Sequence, residues 1–214
     1  MIEIIPSIIS NSFAEFEEKV GMVDKYVDKV QLDIMDGVFV DGKTFDGINE
    51  SKKINTDCKI DVHLMIAKPE NHIIQWLSTP VDTIYIHWES TNKIQQIINT
   101  IRDESDKSIG LVFNPETDYS DFSQFDDQID FVQFMTVHPG KYGAKFIPEV
   151  LNKIADFHFS FPEIAIAVDG GVDNLTAPQI IKAGASLLVS GSYIFNNPDL
   201  SIEESIENLE LISK

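Results

Sequence analysis

Residues 163–192 read EIAIAVDGGVDNLTAPQIIKAGASLLVSGS. Glu163–Val168 is a short, β-rich apolar run that ends in Asp169-Gly170-Gly171. Leu175–Ala183 carries a helical pattern closed by Gly184, the residue type on which helices commonly stop. Ser186–Val189 is a second apolar run, ending in Ser190-Gly191-Ser192. Strand, helix, strand in that order is the crossover unit of a parallel sheet.

The unit recurs outward from this stretch. Further apolar runs lie at Ile2–Pro6, Lys29–Ile34, Lys59–Met65, Thr83–His87, Ser108–Phe113 and Phe131–Val137, which makes eight. They are rich in Val, Ile and Phe and mostly lack strict alternation, as strands covered on both faces do. Helical patterns fill the gaps. Ser12–Lys25 spaces Phe13, Phe16, Val20 and Val23 helically, with Ser12 and Glu15 as a capping box. Glu70–Leu77 follows Pro69, a first-turn proline. Lys93–Arg102 carries Ile94, Ile97, Ile98 and Ile101 on one face, and Pro148–Phe157 reads the same way. Ser201–Ile212 closes the chain with a second box, Ser201 and Glu204; Asp46–Asn55 is the weakest helix. Eight strands at roughly 27 residues per unit predict a closed (β/α)8 barrel, one domain over residues 1–214. An open doubly wound sheet is the alternative, but no Gly-x-Gly-x-x-Gly follows the first strand.

Composition bounds the partners. The 214 residues carry 16 Lys+Arg against 35 Asp+Glu, a formal charge of −19. So acidic a chain is not expected to bind nucleic acid or an anionic membrane. Arg102 is the one arginine, so a phosphate would have to be held without an arginine cluster. Cys58 is the one cysteine, which leaves no internal disulfide and no cysteine-based zinc site. The first ten residues lack the basic region of a signal peptide, and no run is long enough to span a membrane, so a cytoplasmic protein is expected.

In a barrel, chemistry gathers at the C-terminal ends of the strands. Those ends read Pro6-Ser7, Gln31-Leu32-Asp33-Ile34-Met35-Asp36-Gly37, Asp61-Val62-His63-Leu64-Met65, His87-Trp88-Glu89, Met135-Thr136-Val137-His138-Pro139-Gly140, Asp169-Gly170-Gly171 and Ser190-Gly191-Ser192. Six of these blocks, in register over almost the whole chain, resemble the ribulose-phosphate 3-epimerase family: Pro6–Ile9, Asp33–Gly37, His63–Met65, Met135–Gly140, Val168–Val172 and Ser190–Ser192. The related 3-epimerases of a phosphorylated hexulose share much of the set, including Asn114-Pro115-Glu116-Thr117.

The resemblance implies an isomerase that inverts C3 of a ketose phosphate, interconverting ribulose 5-phosphate and xylulose 5-phosphate in the pentose phosphate pathway. Asp33 and Asp169 would be the acid/base pair acting through a metal-stabilised cis-enediolate. They would also bind a divalent cation (Zn, Mn, Fe or Mg) together with His63 and the residue at position 31. Met35, Met65 and Met135 would line the reacting carbons with sulfur that cannot exchange protons. Ser7, Gly140, Gly143, Gly170, Gly171, Gly191 and Ser192 would contact substrate, the glycine amides holding phosphate. A homo-oligomer is expected from the same likeness. His87 reads as supporting the site or the fold, His138 has no assigned role, and His72 and His158 read as surface residues.

Three departures bear on substrate and metal. Gln31 stands where the family has a histidine ligand, which predicts weaker zinc binding, a shift to Mn or Mg, or loss of the metal. The loop Pro139–Phe146 has Lys141 and Tyr142 where the family has Phe-Gly, and Lys141 or Lys145 would add a charge near phosphate if not simply solvated. Val38–Gly42 and Ala167 also differ from the usual residues. Besides pentulose epimerisation, two readings stay open: 3-epimerisation of a hexulose 6-phosphate, and a sugar-phosphate-binding barrel that has lost metal-dependent catalysis.

Overall fold

The computed structural model describes residues 2–140 and 143–212. Eight parallel strands run β1 (Glu3–Ile8), β2 (Lys29–Met35), β3 (Lys59–Met65), β4 (Thr83–His87), β5 (Ser108–Phe113), β6 (Phe131–Met135), β7 (Ala165–Asp169) and β8 (Leu187–Ser190). Each pairs with the next, and β8 pairs with β1, closing the barrel.

The strands are buried along almost their whole length, because helices cover the outside and side chains fill the inside. The covering helices are α1 (Phe13–Val23), α2 (Ile48–Ser51), α3 (Ile73–Leu77), α4 (Ile94–Glu104), α5 (Val150–Ser160), α6 (Ala177–Lys182), α7 (Ser192–Phe195) and α8 (Ile202–Ile212). On α4, Ile94, Ile97, Ile98 and Ile101 are all buried. Each contributes about 1.5–3 kcal/mol by leaving water, which explains a helix that has no side-chain N-cap. The box on α8 forms in full: Ser201 N donates to Glu204 Oε2 at 2.8 Å, and Glu204 N donates to Ser201 Oγ at 3.2 Å. On α1 only half forms, because Glu15 accepts from Asn11 N at 2.9 Å rather than from Ser12.

Three local readings shift. The first strand continues through Pro6, paired with Ser190, to Ile8. The weak helix after β2 shrinks to the four residues of α2. Pro69 opens a 3-10 turn, Pro69–Asn71, ahead of a short α3. Between β5 and β6, where no helical pattern was read, the chain has a 3-10 segment, Ser120–Gln124. Phe122 from this segment packs edge-on against Phe157 and Phe161, with ring centroids 5.0 and 4.9 Å apart.

Inside the barrel, Ile5, Tyr85, Val112, Met135, Ala167, Leu187 and Val189 form a second apolar cluster. Tyr85 lies flat against β5, where a Cβ on Gly110 would come within 2.2 Å of its ring, so only glycine fits there. This packed floor lifts the polar residues of the lumen toward the C-terminal mouth.

Candidate active site

Strand register brings the polar residues together. Asp33 is paired with His63 across β2 and β3, and Asp169 with Met135 across β6 and β7. Strands alternate their faces, so Gln31 and Asp33 both point inward from β2, as do Gln133 and Met135 from β6. Gln31 then reaches across the lumen. Its Nε2 donates to Asp33 Oδ1 at 2.9 Å and to Asp169 Oδ2 at 2.8 Å, and lies 3.3 Å from His63 Nδ1. His63 Nδ1 stands 3.2 Å from Asp33 Oδ1 and 3.4 Å from Asp169 Oδ2.

Asp33, His63, Asp169 and Gln31 are all buried. Burial pushes the Asp33 carboxyl up, and the nearby Asp169 charge adds to this against hydrogen bonds from His63 and Gln31. Burial works to lower His63, but its bonds to Asp169 and Asp33 outweigh it and hold the imidazole at about 9. His87, behind His63, is pushed down to about 4 by burial despite the Glu89 carboxylate on its other side.

Asp33, His63 and Asp169 form a cluster that could hold a divalent metal, their ligand atoms lying within 4.8 Å of one another. The spacing fits a coordination shell. Ligands at about 2.1 Å from an octahedral cation stand about 3 Å apart when adjacent and about 4.2 Å apart when opposite. The 3.2 and 3.4 Å separations of His63 Nδ1 from the Asp33 and Asp169 carboxylates match the adjacent case. A carboxamide can serve either state, with N–H toward bare carboxylates or oxygen toward a cation.

The mouth above this cluster is lined by Ser7, Met65, Met135, Gly140, Gly143, Gly170, Gly171, Gly191 and Ser192, together with Asp33, His63 and Asp169. Among the described residues no lysine or arginine lines it. Gly170 has φ +108°, and a Cβ there would lie 2.4 Å from a Val137 methyl, so the turn after β7 admits no side chain. Met35 is not part of the mouth. It is buried and turned toward Gly42, whose added Cβ would meet its sulfur at 2.8 Å. Lys141 and Tyr142 lie outside the described residues. His138 is exposed beside Glu116 at 3.5 Å, and His72 and His158 are exposed. Arg102 is bound to Asp130 at 2.8 Å and to the Gln128 carbonyl at 2.7 Å, away from the mouth.

One residue of the cluster escaped the sequence analysis. Gln133 is fully buried; its Nε2 donates to Asp169 Oδ2 at 3.2 Å, and its Oε1 has no partner. Its signal is that it is the one polar residue in Phe131–Met135, on the same side as Met135. Glu89, named at the end of the fourth strand but given no role, reaches back from beyond β4 to His87 at 3.3 Å.

Barrel and cluster together define a (β/α)8 protein with a cluster of buried ionisable side chains at the C-terminal ends of its strands. Comparison with known proteins narrows the class. The model of the ribulose-phosphate 3 epimerase family matches residues 3–195. The chain is 37% identical over 206 residues to ribulose-phosphate 3-epimerase of Bacillus subtilis, covering 93% of this chain and 94% of that one. It is 33% identical to ribulose-phosphate 3-epimerase of Schizosaccharomyces pombe, covering 97% and 92%. The crystal structure of 3-hexulose-6-phosphate synthase from Salmonella typhimurium superposes with a TM-score of 0.75 over 99% of this chain and 98% of that one; at 13% identity it bears on the fold alone. The chain belongs to the ribulose-phosphate 3-epimerase family, and is an enzyme of the epimerase type. No helix among the described residues is long and apolar enough to cross a membrane.

Proposed function

We propose that the enzyme inverts C3 of a ketose phosphate, interconverting ribulose 5-phosphate and xylulose 5-phosphate. One observation carries this reading: two buried carboxylates, Asp33 and Asp169, enter the lumen from strands three positions apart around the wall and converge beneath an open mouth. Inversion needs a base on one face of a planar intermediate and an acid on the other. One aspartate takes the C3 proton, giving a cis-enediolate, and the other returns a proton to the opposite face. The raised Asp33 carboxyl suits this work, since it can hold a proton nearer neutral pH. Met65 and Met135 line the mouth with polarizable sulfur that offers the intermediate no proton.

Asp33, His63 and Asp169, with Gln31 Oε1, would hold a divalent cation. That cation would polarise the substrate carbonyl and offset the negative charge that develops on its oxygens. Three oxygens and one nitrogen suit Mn²⁺ or Mg²⁺ better than Zn²⁺. Phosphate would sit against the backbone amides of Gly170, Gly171, Gly191 and Ser192, which needs no arginine.

The test is solvent deuterium exchange. Ribulose 5-phosphate and a hexulose 6-phosphate are each incubated in D₂O with the enzyme and Mn²⁺, Mg²⁺, Zn²⁺ or Fe²⁺. Deuterium at C3 with formation of xylulose 5-phosphate is expected. Faster turnover of the hexulose would move the substrate assignment. No incorporation with any pairing would leave a binding protein and overturn the reading.

A further inference from the structure

His87 is a fully buried titratable ring that the reaction above leaves unused. It ends β4 with its Nε2 2.8 Å from His63 Nε2 and its Nδ1 3.3 Å from Glu89 Oε2. The two imidazole planes differ by 20° with centroids 4.9 Å apart, so the bond joins ring edge to ring edge. Phe39 covers the His87 ring at 4.8 Å. Glu89 is itself fixed, because its Oε1 accepts from Asn114 N at 2.8 Å.

Proton positions follow from these contacts. A carboxylate only accepts, so His87 Nδ1 must carry the hydrogen that meets Glu89. The neutral ring then has its lone pair on Nε2. The atom facing that lone pair is His63 Nε2, which must be the donor. That leaves His63 Nδ1 as the ring nitrogen that can ligate once a cation displaces its proton, directed at Asp33 Oδ1 and Asp169 Oδ2. Without His87 the balance reverses. The two carboxylates at 3.2 and 3.4 Å would draw the proton of a neutral His63 onto Nδ1, and a protonated Nδ1 cannot bind a cation.

We propose that His87 and Glu89 are positioning residues that draw the His63 proton onto Nε2 and so free Nδ1 to hold a divalent cation with Asp33 and Asp169. The proposal rests on the cation reading above, but its test uses no turnover. A histidine ligand whose other nitrogen loses its acceptor typically binds metal about 10–100-fold more weakly.

The whole chain, ¹⁵N-labelled at histidine and free of metal, should show His87 protonated at Nδ1 and bare at Nε2. Mn²⁺ affinity is then measured for the wild type and three variants. His87→Phe keeps the ring shape and should weaken Mn²⁺ binding about 10–100-fold. His87→Gln, whose amide oxygen can accept from His63, should recover most of that loss. Glu89→Gln serves if His87→Phe fails to fold. Its oxygen end stays on Asn114 N, its NH₂ faces His87 Nδ1, and the His87 tautomer should invert with a similar loss of Mn²⁺. A merely structural pair would lower the melting temperature of the metal-free protein and leave Mn²⁺ affinity alone. Wild-type affinity in both His87→Phe and Glu89→Gln overturns the proposal, as does His87 protonated at Nε2 in the wild type. A wild type that binds no Mn²⁺ overturns the cation reading, and this proposal with it.

Discussion

The barrel lumen holds buried charge at both ends, and the two ends are built differently. At the C-terminal mouth, Asp33 and Asp169 each meet both the Gln31 amide and the His63 imidazole within 3.4 Å, and Asp169 also accepts from Gln133. At the floor, Asp61 meets Lys29 Nζ at 3.3 Å and the side chain of Thr83, and neither of its oxygens has a hydrogen-bond partner of normal geometry. The same two strands supply both ends, since β2 carries Lys29, Gln31 and Asp33, and β3 carries Asp61 and His63. A buried carboxylate with several donors is held in a defined place and state. One whose few partners are loosely placed is weak evidence of stability, because desolvation can exceed the attraction. The contrast separates a cross-linked cluster of carboxylates from an ion pair that the fold tolerates.

The largest expected effect falls at the mouth. Asp33→Asn or Asp169→Asn should each slow deuterium exchange at C3 by about 10²–10⁴-fold, the usual contribution of a positioned acid or base. Both variants should stay folded, because an amide still fits among the same partners. Exchange within tenfold of wild type in either variant would erase the proposed distinction between the two ends.

What could be read in advance follows the same division. The barrel was legible because eight apolar runs and their spacing are local features. Pro6 concealed the end of β1: a proline reads as a stop, yet it costs only one donor in a strand paired on both sides. Asp33, His63 and Asp169 were legible because each ends a strand. Gln133 was not, nor was the role of Glu89, because what marks them is a partner distant in sequence or a side chain turned back. Gln133 meets Asp169 36 residues on, and Glu89 folds back onto His87 while holding Asn114. Met35 was placed at the reacting carbons by the family resemblance; it is buried beside Gly42 and does not line the mouth with Met65 and Met135.

Gln31 allows a second way to sharpen the comparison. As an amide it ties two carboxylates together without a cation. Gln31→His removes that tie and offers a softer, nitrogen donor. Zn²⁺ affinity should rise by about a hundredfold, with Mg²⁺ gaining much less. Titration against a competing chelator measures this, and unchanged preference among the metals would show that position 31 does not face the cation.

The smallest effect, and the opposite sign, is expected at the floor. Burial pushes the Asp61 carboxyl up to about 6 against the attraction of Lys29. A carboxyl raised in the folded state binds its proton more tightly there than in the unfolded chain. Its stabilising contribution is therefore complete below about pH 4 and is lost as pH rises through about 6. Asp61→Asn resembles the protonated side chain, so it should match wild type near pH 4 and exceed it at pH 7, on the order of 2 kcal/mol. Urea midpoints at the two pH values test both halves. Asp61→Asn less stable than wild type at pH 7 would mean that Lys29 repays the desolvation of Asp61 after all. Equal stability at both values would place the ionisation elsewhere. A gain at pH 7 alone would leave the floor pair as a cost that the barrel bears, unlike the cross-linked carboxylates two turns of the pleat above it.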